Sequence, residues 1–278
     1  MKTRTIETRR GTRIRVLEDG APDASAVVFM HGVLGLLADN SFLDILAGRY
    51  HIFAPELPGY GESTGEERLE DMLDFTLHGL DVLDALQVQA PVLVGHSLGG
   101  MIAAEMACLV PERLERLVLV NPFGLWLDQQ PIPDLFSMLP YEFGDLLFAN
   151  TQQARRLLTA TSDFAEPEDL RQFVIDNARR LGTAGKILFP IPNRRLSKRL
   201  YRLTTETLVV WGEQDKLIPP RYAAKWEQLL PNAATSIVPN AGHMLPYEQP
   251  RALADLIFQL EITPARLPTT FAPSVASG

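Results

Sequence analysis

The sequence predicts an α/β fold in which a mostly parallel sheet is covered by helices on both faces. Three observations lead to this prediction. Short runs rich in Val, Ile and Leu recur along the 278-residue chain, amphipathic segments separate several of them, and one long proline-containing stretch interrupts the alternation. Strands that follow one another through helical crossovers pair in parallel, and the helices then bury both faces of the sheet. One core with one insertion is therefore expected.

The strands are predicted from short apolar runs, which are typical of strands buried on both faces. They are expected at residues 26–30, 52–54, 91–94, 117–120, 207–211 and 235–238. A first helix is predicted from residues spaced three and four apart, namely Leu69, Met72, Leu73, Thr76, Leu80 and Leu83. The nearly all-apolar stretch 100–110 is expected to form a helix buried against the sheet, and residues 222–230 and 251–260 two further helices.

Residues 122–203 lack the alternation and are interpreted as a helical cap inserted over the mouth of the sheet, called the cap segment below. The segment contains seven prolines and several helical patches, including residues 170–181. Because the strand pattern resumes directly afterwards, residues 1–121 and 204–262 are expected to form one core, and a separate domain is the less favoured alternative. Residues 263–278 are rich in Pro, Ala, Ser and Thr and are predicted to be a disordered tail.

Composition and charge exclude several classes of protein. The chain has 26 Lys and Arg against 34 Asp and Glu, a formal net charge of −8, which argues against binding to the phosphates of nucleic acid. No stretch approaches 18 uninterrupted apolar residues, so no membrane span is predicted. The N-terminus carries no secretory signal, and a cytoplasmic location is expected. The one cysteine, Cys108, has apolar neighbours and is predicted to be a buried structural thiol.

The most informative motif is G-x-S-x-G at residues 95–99, centred on Ser97, between an apolar strand and an apolar helix. A sharp turn at this place lifts the serine above the edge of the sheet. Glycine at positions 95 and 99 removes the Cβ atoms that would clash there, and the serine is left exposed in a strained conformation. The context favours a nucleophile over an ordinary turn serine.

A serine hydroxyl needs a base within hydrogen-bond reach, and that base needs an acid to orient it. His243 is the candidate base, because it follows a predicted strand and opens a loop, although a solvated loop histidine is the alternative. Asp215 is the candidate acid, since it lies just past the strand at 207–211. The order Ser97, Asp215, His243 is expected when all three groups lie at strand ends of this sheet. Three other acids remain as rivals, namely Glu213, Asp128 and Asp134.

A second loop, His31-Gly32-Val33-Leu34-Gly35, follows the strand that ends at Met30. A tetrahedral intermediate develops negative charge that needs two preorganised N–H donors. The backbone amides of Val33 and Leu98 are the natural pair, and the amide of Leu98 is aided by the N-terminus of the following helix. His96, beside the nucleophile, is expected to pack or to cap.

Five motifs together resemble the α/β-hydrolase superfamily: HG at 31–32, PGYGES at 58–63, GHSLGG at 95–100, WGEQDKLIPP at 211–220 and AGHMLPYEQP at 241–250. The resemblance extends over roughly residues 12 to 260 and implies the α/β-hydrolase fold. It also implies that Ser97 is the nucleophile, His243 the base and Asp215 the triad acid, and that the cap segment occupies the place of the family's variable cap. Relatives that open epoxides or remove halide use aspartate at the position of Ser97, so those activities are disfavoured.

Within the superfamily the chain looks most similar to carboxylesterases and to carbon–carbon hydrolases of ring-cleavage products. The second group commonly has methionine after the nucleophile and tryptophan shortly after the base histidine, whereas this chain has Leu98 and the sequence MLPY at 244–247. Hydrolysis of small to medium apolar carboxylic esters is therefore the expected activity. Carbon–carbon hydrolysis, haloperoxidase-like perhydrolysis and a non-enzymatic ligand receptor remain as alternatives.

The cap segment is expected to set the substrate. Its first part is rich in apolar and aromatic residues, and Phe123, Trp126 and Leu34 of the neighbouring loop are the candidate pocket residues. A basic run at residues 194–202 could meet a substrate carboxylate, although a solvated helix face is favoured. Neither nucleotide-binding nor metal-binding motifs are present, so no cofactor and no metal are expected, and a small-molecule ester is the expected partner. The oligomeric state stays open.

Overall fold

The structure is a computed structural model that describes residues 1–139, 142–159, 167–189 and 193–262. The predicted disordered tail, residues 263–278, lies outside the described residues. Within these ranges no helix is long and apolar enough to cross a membrane.

The core is one eight-stranded sheet with the strand order β1-β2-β4-β3-β5-β6-β7-β8. The strands are β1 (Lys2–Glu7), β2 (Arg13–Asp19), β3 (Ala26–Met30), β4 (His51–Pro55), β5 (Val92–His96), β6 (Arg116–Val120), β7 (Thr207–Gly212) and β8 (Ala233–Val238). Strand β2 pairs antiparallel with both of its neighbours, and the pairs from β4 to β8 are parallel. The predicted parallel sheet is confirmed.

The helices of the described residues are α1 (Ser41–Ala47), α2 (Met72–Leu86), α3 (Leu98–Leu109), α4 (Phe143–Leu147), α5 (Thr151–Thr159), α6 (Pro167–Leu188), α7 (Arg221–Leu229), α8 (Leu245–Glu248) and α9 (Pro250–Ile262). The two faces of the sheet have separate apolar cores. Val28 and Met30 of β3 pack in the core that contains α2 and α3, whereas the alternate residues Val27 and Phe29 pack in the core that contains α1 and α9. This alternation is why the inner strands are apolar throughout.

The six predicted strands are confirmed, and the two that sequence analysis missed lie at one edge of the sheet. Strand β1 has one buried residue among six, so it carries no apolar run that could reveal it. Strand β2 mixes buried and exposed positions. A strand with one solvent-exposed face is polar at every second position, so it contains no continuous apolar run by which it could be predicted.

An inserted helical segment between β6 and β7 is confirmed, and α4, α5 and α6 belong to it. Helix α6 is longer than the predicted stretch 170–181. Its C-terminal half is tied to the core, because Arg179 forms a 2.8 Å ion pair with Glu66 and the Lys186 ammonium donates to two backbone carbonyls. The proposed limits of the cap segment, residues 122–203, stay a prediction.

The basic run at the end of the cap segment does not form a solvated helix face. Short 3₁₀ turns replace the helix. Arg194 donates to the Ile187 carbonyl, and Arg199 forms a bidentate pair with the buried Glu105 of α3. Arg202 donates to the carbonyl of Cys108, which is buried as predicted. Three of the five cations are thus structural, because they anchor the end of the cap segment to the core.

Candidate active site

The first element of the site is the turn between β5 and α3, where Ser97 has a φ of 55° and a ψ of −116°. This strained backbone follows directly from the crowding around the turn. A Cβ atom on Gly99 would lie 2.3 Å from the carbonyl oxygen of Met30, and one on Gly95 would lie 2.7 Å from the Cα atom of Gly100. The glycines therefore let the strand, the turn and the helix approach closely enough to present Ser97.

Ser97, His243 and Asp215 form one hydrogen-bonded chain. The Ser97 hydroxyl donates to Nε2 of His243 over 2.8 Å, and the Nδ1–H of His243 donates to Oδ2 of Asp215 over 2.8 Å. All three residues are at most 4% exposed. The prediction that Ser97 is exposed is therefore wrong, because Leu135, Phe143 and Leu147 close the void beside it. Each follows a different parallel strand, β5, β7 or β8, and these strands end at the same edge of the sheet. The rival acids are exposed, and the structure shows none of them bonded to His243: Glu213, Asp128 and Asp134.

The carboxylate of Asp215 is held by three donors besides His243. Asn121 donates its side-chain amide to Oδ2 over 2.6 Å, and the backbone N–H groups of Leu217 and Ile218 each donate to Oδ1 over 2.9 Å. Sequence analysis missed Asn121. The signal that could have found it is its position, since it directly follows β6 as Ser97 follows β5, and it has a left-handed φ of 46°. Asn121 fixes the orientation of the acid and so belongs to the site.

The loop that carries His243 is bound to the cap segment through Glu248. Its Oε2 atom accepts from the N–H of Gly242 over 2.8 Å, and its Oε1 atom accepts from the N–H of Ala149 over 2.7 Å. The N–H of Met244 donates to the Leu147 carbonyl over 3.0 Å. Burial raises the pKa of Glu248 above its ordinary value. The residues on both sides of the base are therefore held in place by contacts with the start of the cap segment.

Two further histidines, His96 and His31, support the loops around the nucleophile. The Nε2–H of His96 donates to the backbone carbonyl of His243 over 2.8 Å. His31 donates from Nδ1 to the Gly32 carbonyl and accepts at Nε2 from the N–H of Leu57. Burial lowers the pKa of His96 to about 3 and that of His31 to about 4. Both stay neutral at physiological pH and act as packing and hydrogen-bonding groups.

The two candidate oxyanion donors lie beside Ser97. Val33 lines the same small void as Ser97, and Leu98 is the first residue of α3. In the described part of the chain, neither of their backbone N–H groups has a hydrogen-bond acceptor. Two unsatisfied amides next to a nucleophile, one of them at the N-terminus of a 12-residue helix, are suited to bind a developing oxyanion.

Three cavities meet around the site. The void beside Ser97 measures about 10 Å³ and is closed by Leu135, Phe143 and Leu147 of the cap segment. Of the predicted pocket residues, Leu34 lines this void, whereas Phe123 and Trp126 line a neighbouring cavity of about 180 Å³. A third cavity, of about 310 Å³, is lined by Leu34 and by residues of α5 and α6. Among the described residues no cluster of His, Cys, Asp or Glu could hold a metal ion.

A sequence model described as the alpha/beta hydrolase family matches residues 27–256. A 2-hydroxy-6-oxo-6-phenylhexa-2,4-dienoate hydrolase of Burkholderia cepacia is 26% identical over 275 residues, which cover 88% of this chain and 90% of that protein. The solved structure of naproxen esterase from Bacillus subtilis, a carboxylesterase, superposes with a TM-score of 0.71 at 18% identity and covers 94% of this chain and 92% of that one.

A third similar protein is the dihydrolipoyllysine-residue acetyltransferase component of the acetoin cleaving system of Cupriavidus necator. It is 30% identical over 254 residues, which cover 86% of this chain. The match covers 64% of that protein, so this chain spans less than two thirds of its relative's length.

Proposed function

The chain belongs to the alpha/beta hydrolase family and carries the site of a serine hydrolase, and on this premise we propose that it cleaves small to medium, largely apolar carboxylic esters. The observation that carries the proposal is the hydrogen-bonded triad, in which one 2.8 Å bond joins Ser97 to His243 and a second joins His243 to Asp215. Such a chain activates a hydroxyl that is otherwise a weak nucleophile.

The mechanism follows from the geometry. His243 takes the proton of Ser97 at Nε2 while the serine oxygen attacks the ester carbonyl, and Asp215 stabilises the imidazolium that forms. The negative charge of the tetrahedral intermediate lies on the former carbonyl oxygen, which accepts hydrogen bonds from the backbone N–H groups of Val33 and Leu98. His243 then returns the proton to the leaving alcohol, which departs and leaves an acyl-enzyme on Ser97. Water repeats the same steps on the acyl-enzyme and releases the carboxylic acid.

The lining of the site supports an apolar substrate. The void beside Ser97 is walled mainly by aliphatic and aromatic side chains, and among the described residues that line the 180 Å³ cavity next to it, Asp134 is the one with a charge. An apolar acyl group gains free energy on entering such surroundings, whereas a charged group would lose its hydration.

The proposal is tested by the hydrolysis of p-nitrophenyl esters of increasing acyl size by the native chain and by Ser97→Ala. The expected result is turnover by the native chain and a fall in kcat of roughly 10⁴ to 10⁶ in the variant, since the members of such a triad act as a unit. Near-full turnover by Ser97→Ala would show that Ser97 is not the nucleophile. Labelling of Ser97 by a fluorophosphonate without turnover of any ester would contradict ester hydrolysis and leave the nucleophile in place.

Carbon–carbon hydrolysis of ring-cleavage acids is the second candidate function. The relative from Burkholderia cepacia favours it, as does Arg180 of α6, whose guanidinium donates to Asn177 and to the Leu34 carbonyl. Asp176 acts electrostatically on Arg180, but the hydrogen bonds that the guanidinium makes go to neutral acceptors, so a substrate acid is a suitable charged partner for it. Asp169 and Asp176 line the 310 Å³ cavity together with Arg180, and their negative charges disfavour an anionic substrate there. Ester hydrolysis is therefore the preferred proposal.

The two candidate functions are distinguished by comparing the kcat/KM values for the two substrate classes. A vinylogous ring-cleavage acid is coloured, and its decay is compared with the hydrolysis of p-nitrophenyl butyrate by the same preparation. A higher kcat/KM for the coloured acid, lost in Arg180→Gln while butyrate turnover is kept, would replace the ester assignment. A higher kcat/KM for the ester supports it.

A further inference from the structure

We propose that the 180 Å³ cavity of the cap segment is the subsite for the acyl group of the substrate, and that Leu135 is the side chain that separates this subsite from Ser97. The subsite would take one aromatic ring or an aliphatic group of similar size. The inference rests on the proposed ester hydrolysis, and it names the class of ester.

The cavity lies close to Ser97 and His243. Leu135 lines both the void beside Ser97 and the 180 Å³ cavity, so one side chain forms the wall between them. Phe123 lines the same cavity, and its ring stands edge-on to the ring of His243 with the centroids 6.1 Å apart. The backbone N–H of Phe123 donates to the Ser97 carbonyl over 3.1 Å. The cavity therefore begins one side chain away from both the nucleophile and the base.

The described residues that line the cavity are apolar or aromatic apart from Asp134: Phe123, Trp126, Ile132, Pro133, Leu135, Phe136, Leu188 and Phe189. The polar groups are already bonded, because the carboxylate of Asp134 accepts from the N–H of Phe136 over 2.9 Å and the indole N–H of Trp126 donates to Asp128 over 3.0 Å. The surface offered to a ligand is mainly apolar, and it suits a ligand group that has few hydrogen bonds to satisfy.

The volume of the cavity is compared with that of one aromatic ring. A protein cavity of about 150 Å³ lined by apolar side chains holds one benzene molecule. The cavity of about 180 Å³ therefore has room for one ring and its linking atom. The void beside Ser97, at about 10 Å³, has room for little more than one water molecule. An acyl group larger than acetyl can reach Ser97 only if a wall of the void moves.

Leu34 is the other candidate wall, because it lines both the void beside Ser97 and the 310 Å³ cavity, whose lining includes Asp169, Asp176 and Arg180. An apolar acyl group would desolvate these charges without replacing their hydrogen bonds, which costs free energy. Leu135 lies in a three-residue 3₁₀ turn, Leu135–Ser137, on an irregular part of the cap segment. The displacement of Leu135 therefore opens the wall toward the apolar side, and the charged cavity stays available to the leaving alcohol.

The test compares two organophosphonate probes that differ in one group on phosphorus, phenyl or methyl, together with p-nitrophenyl benzoate and acetate. The probes measure access to Ser97 without requiring turnover. The variants are Leu135→Ala, which removes the wall, and Ile132→Trp, which fills the cavity from a residue that does not line the void beside Ser97. The control is Leu139→Ala, because Leu139 lies in the same part of the cap segment, is 53% exposed and lines none of the three cavities.

Leu135→Ala is expected to raise the phenyl-to-methyl ratio of labelling rates and the benzoate-to-acetate ratio of kcat/KM about tenfold or more. Ile132→Trp is expected to lower both ratios by a similar factor while methyl labelling stays within about twofold. Changes of about tenfold are expected because one ring-sized group gains or loses an apolar binding site. The control should leave the ratios unchanged.

Unchanged ratios in both Leu135→Ala and Ile132→Trp would overturn the subsite. If Leu135→Ala does not fold, Ile132→Trp alone decides, because it adds volume to a half-exposed position. Failure of ester hydrolysis itself gives a different result: both probes label Ser97 with the expected ratios, and no ester is turned over.

Discussion

The carboxyl ends of the parallel strands, called the sheet edge below, and the cap segment both border Ser97. They supply different kinds of chemical group. The sheet edge supplies every polar group of the hydrogen-bonded chain, since Ser97, Asn121, Asp215 and His243 all follow strands. The cap segment contributes apolar side chains to the void, among them Leu135 and Phe143. The strand ends thus set the arrangement of Ser97, His243 and Asp215, and we propose that the cap segment sets the choice of substrate.

The two regions also differ in how well they are packed. The residues of β5 and β6 are all buried. Of the nine large apolar side chains that are at least 40% exposed among the described residues, six belong to the cap segment: Leu139, Leu170, Val174, Ile175, Phe189 and Tyr201. Elements with few buried contacts open at lower free energy than the core. We therefore expect the described residues of the cap segment to move at a lower cost in free energy than the strand ends that carry Ser97, Asp215 and His243.

The largest effect is expected where the sheet edge itself is changed. Asp215→Asn should lower kcat by about 10⁴, because an amide in place of the carboxylate favours the wrong tautomer of His243 and cannot stabilise the imidazolium. Glu213→Gln is the matched control, since Glu213 lies two residues away and is exposed. Its kcat should stay within about twofold of the native value. Equal losses in both variants would break the assignment of the acid.

An intermediate effect is expected where the two regions join, at Glu248. Glu248→Gln keeps the size of the side chain but places an amide N–H against the N–H of either Gly242 or Ala149. Hydrogen bonds to charged groups are worth about 1.5–3 kcal/mol, so we expect kcat to fall about 10- to 100-fold, with KM for p-nitrophenyl butyrate within about twofold, because His243 is displaced and the substrate pocket is not.

The control for Glu248 is Glu105→Gln, which alters another buried carboxylate, the one that holds Arg199 at the end of the cap segment. It should lower Tm and leave kcat within about twofold. If Glu248→Gln lowers Tm in the same way and leaves kcat unchanged, Glu248 stabilises the fold without positioning the base.

Most of the catalytic side chains at the sheet edge could be predicted from the sequence, whereas the contact between the sheet edge and the cap segment at Glu248 could not. Ser97 and His243 lie in local motifs whose glycines and flanking apolar runs reveal a turn at the end of a strand. Glu248 contacts Ala149, 99 residues earlier, and Asn121 contacts Asp215, 94 residues later. Contacts of this kind depend on which strands are neighbours in the sheet and on where the insertion packs, and neither is encoded in local spacing.

The smallest effect on catalysis is expected from His78 of α2, which lies in the core away from the site. Burial lowers its pKa to about 4 from an ordinary value of 6.5, and its Nε2 atom has no described hydrogen-bond partner. The unfolded chain therefore binds a proton that the folded chain does not, and stability is lost as the pH falls from about 6.5 toward 4. His31 and His96 add to this loss in the same direction.

Urea unfolding of the native chain and of His78→Gln between pH 7.5 and 5 measures the contribution of His78. The free energy of unfolding of the variant should fall less steeply with decreasing pH, by up to about 1.4 kcal/mol per pH unit, the value for one proton. Ester turnover at pH 7.5 should be unchanged. Identical slopes for the two proteins would show that His78 titrates normally in the folded state.

The central claim is that the sheet edge makes Ser97 a nucleophile through His243, and the rate of covalent labelling tests it most directly. The chain is treated with a fluorophosphonate, and the adduct is located by peptide mass spectrometry in the native chain, in Ser97→Ala and in His243→Ala. The predicted result is one adduct, on Ser97, absent from Ser97→Ala and formed about 10⁴-fold more slowly in His243→Ala. An adduct on another residue that persists in Ser97→Ala together with ester turnover, or labelling of Ser97 at the native rate without His243, would contradict it.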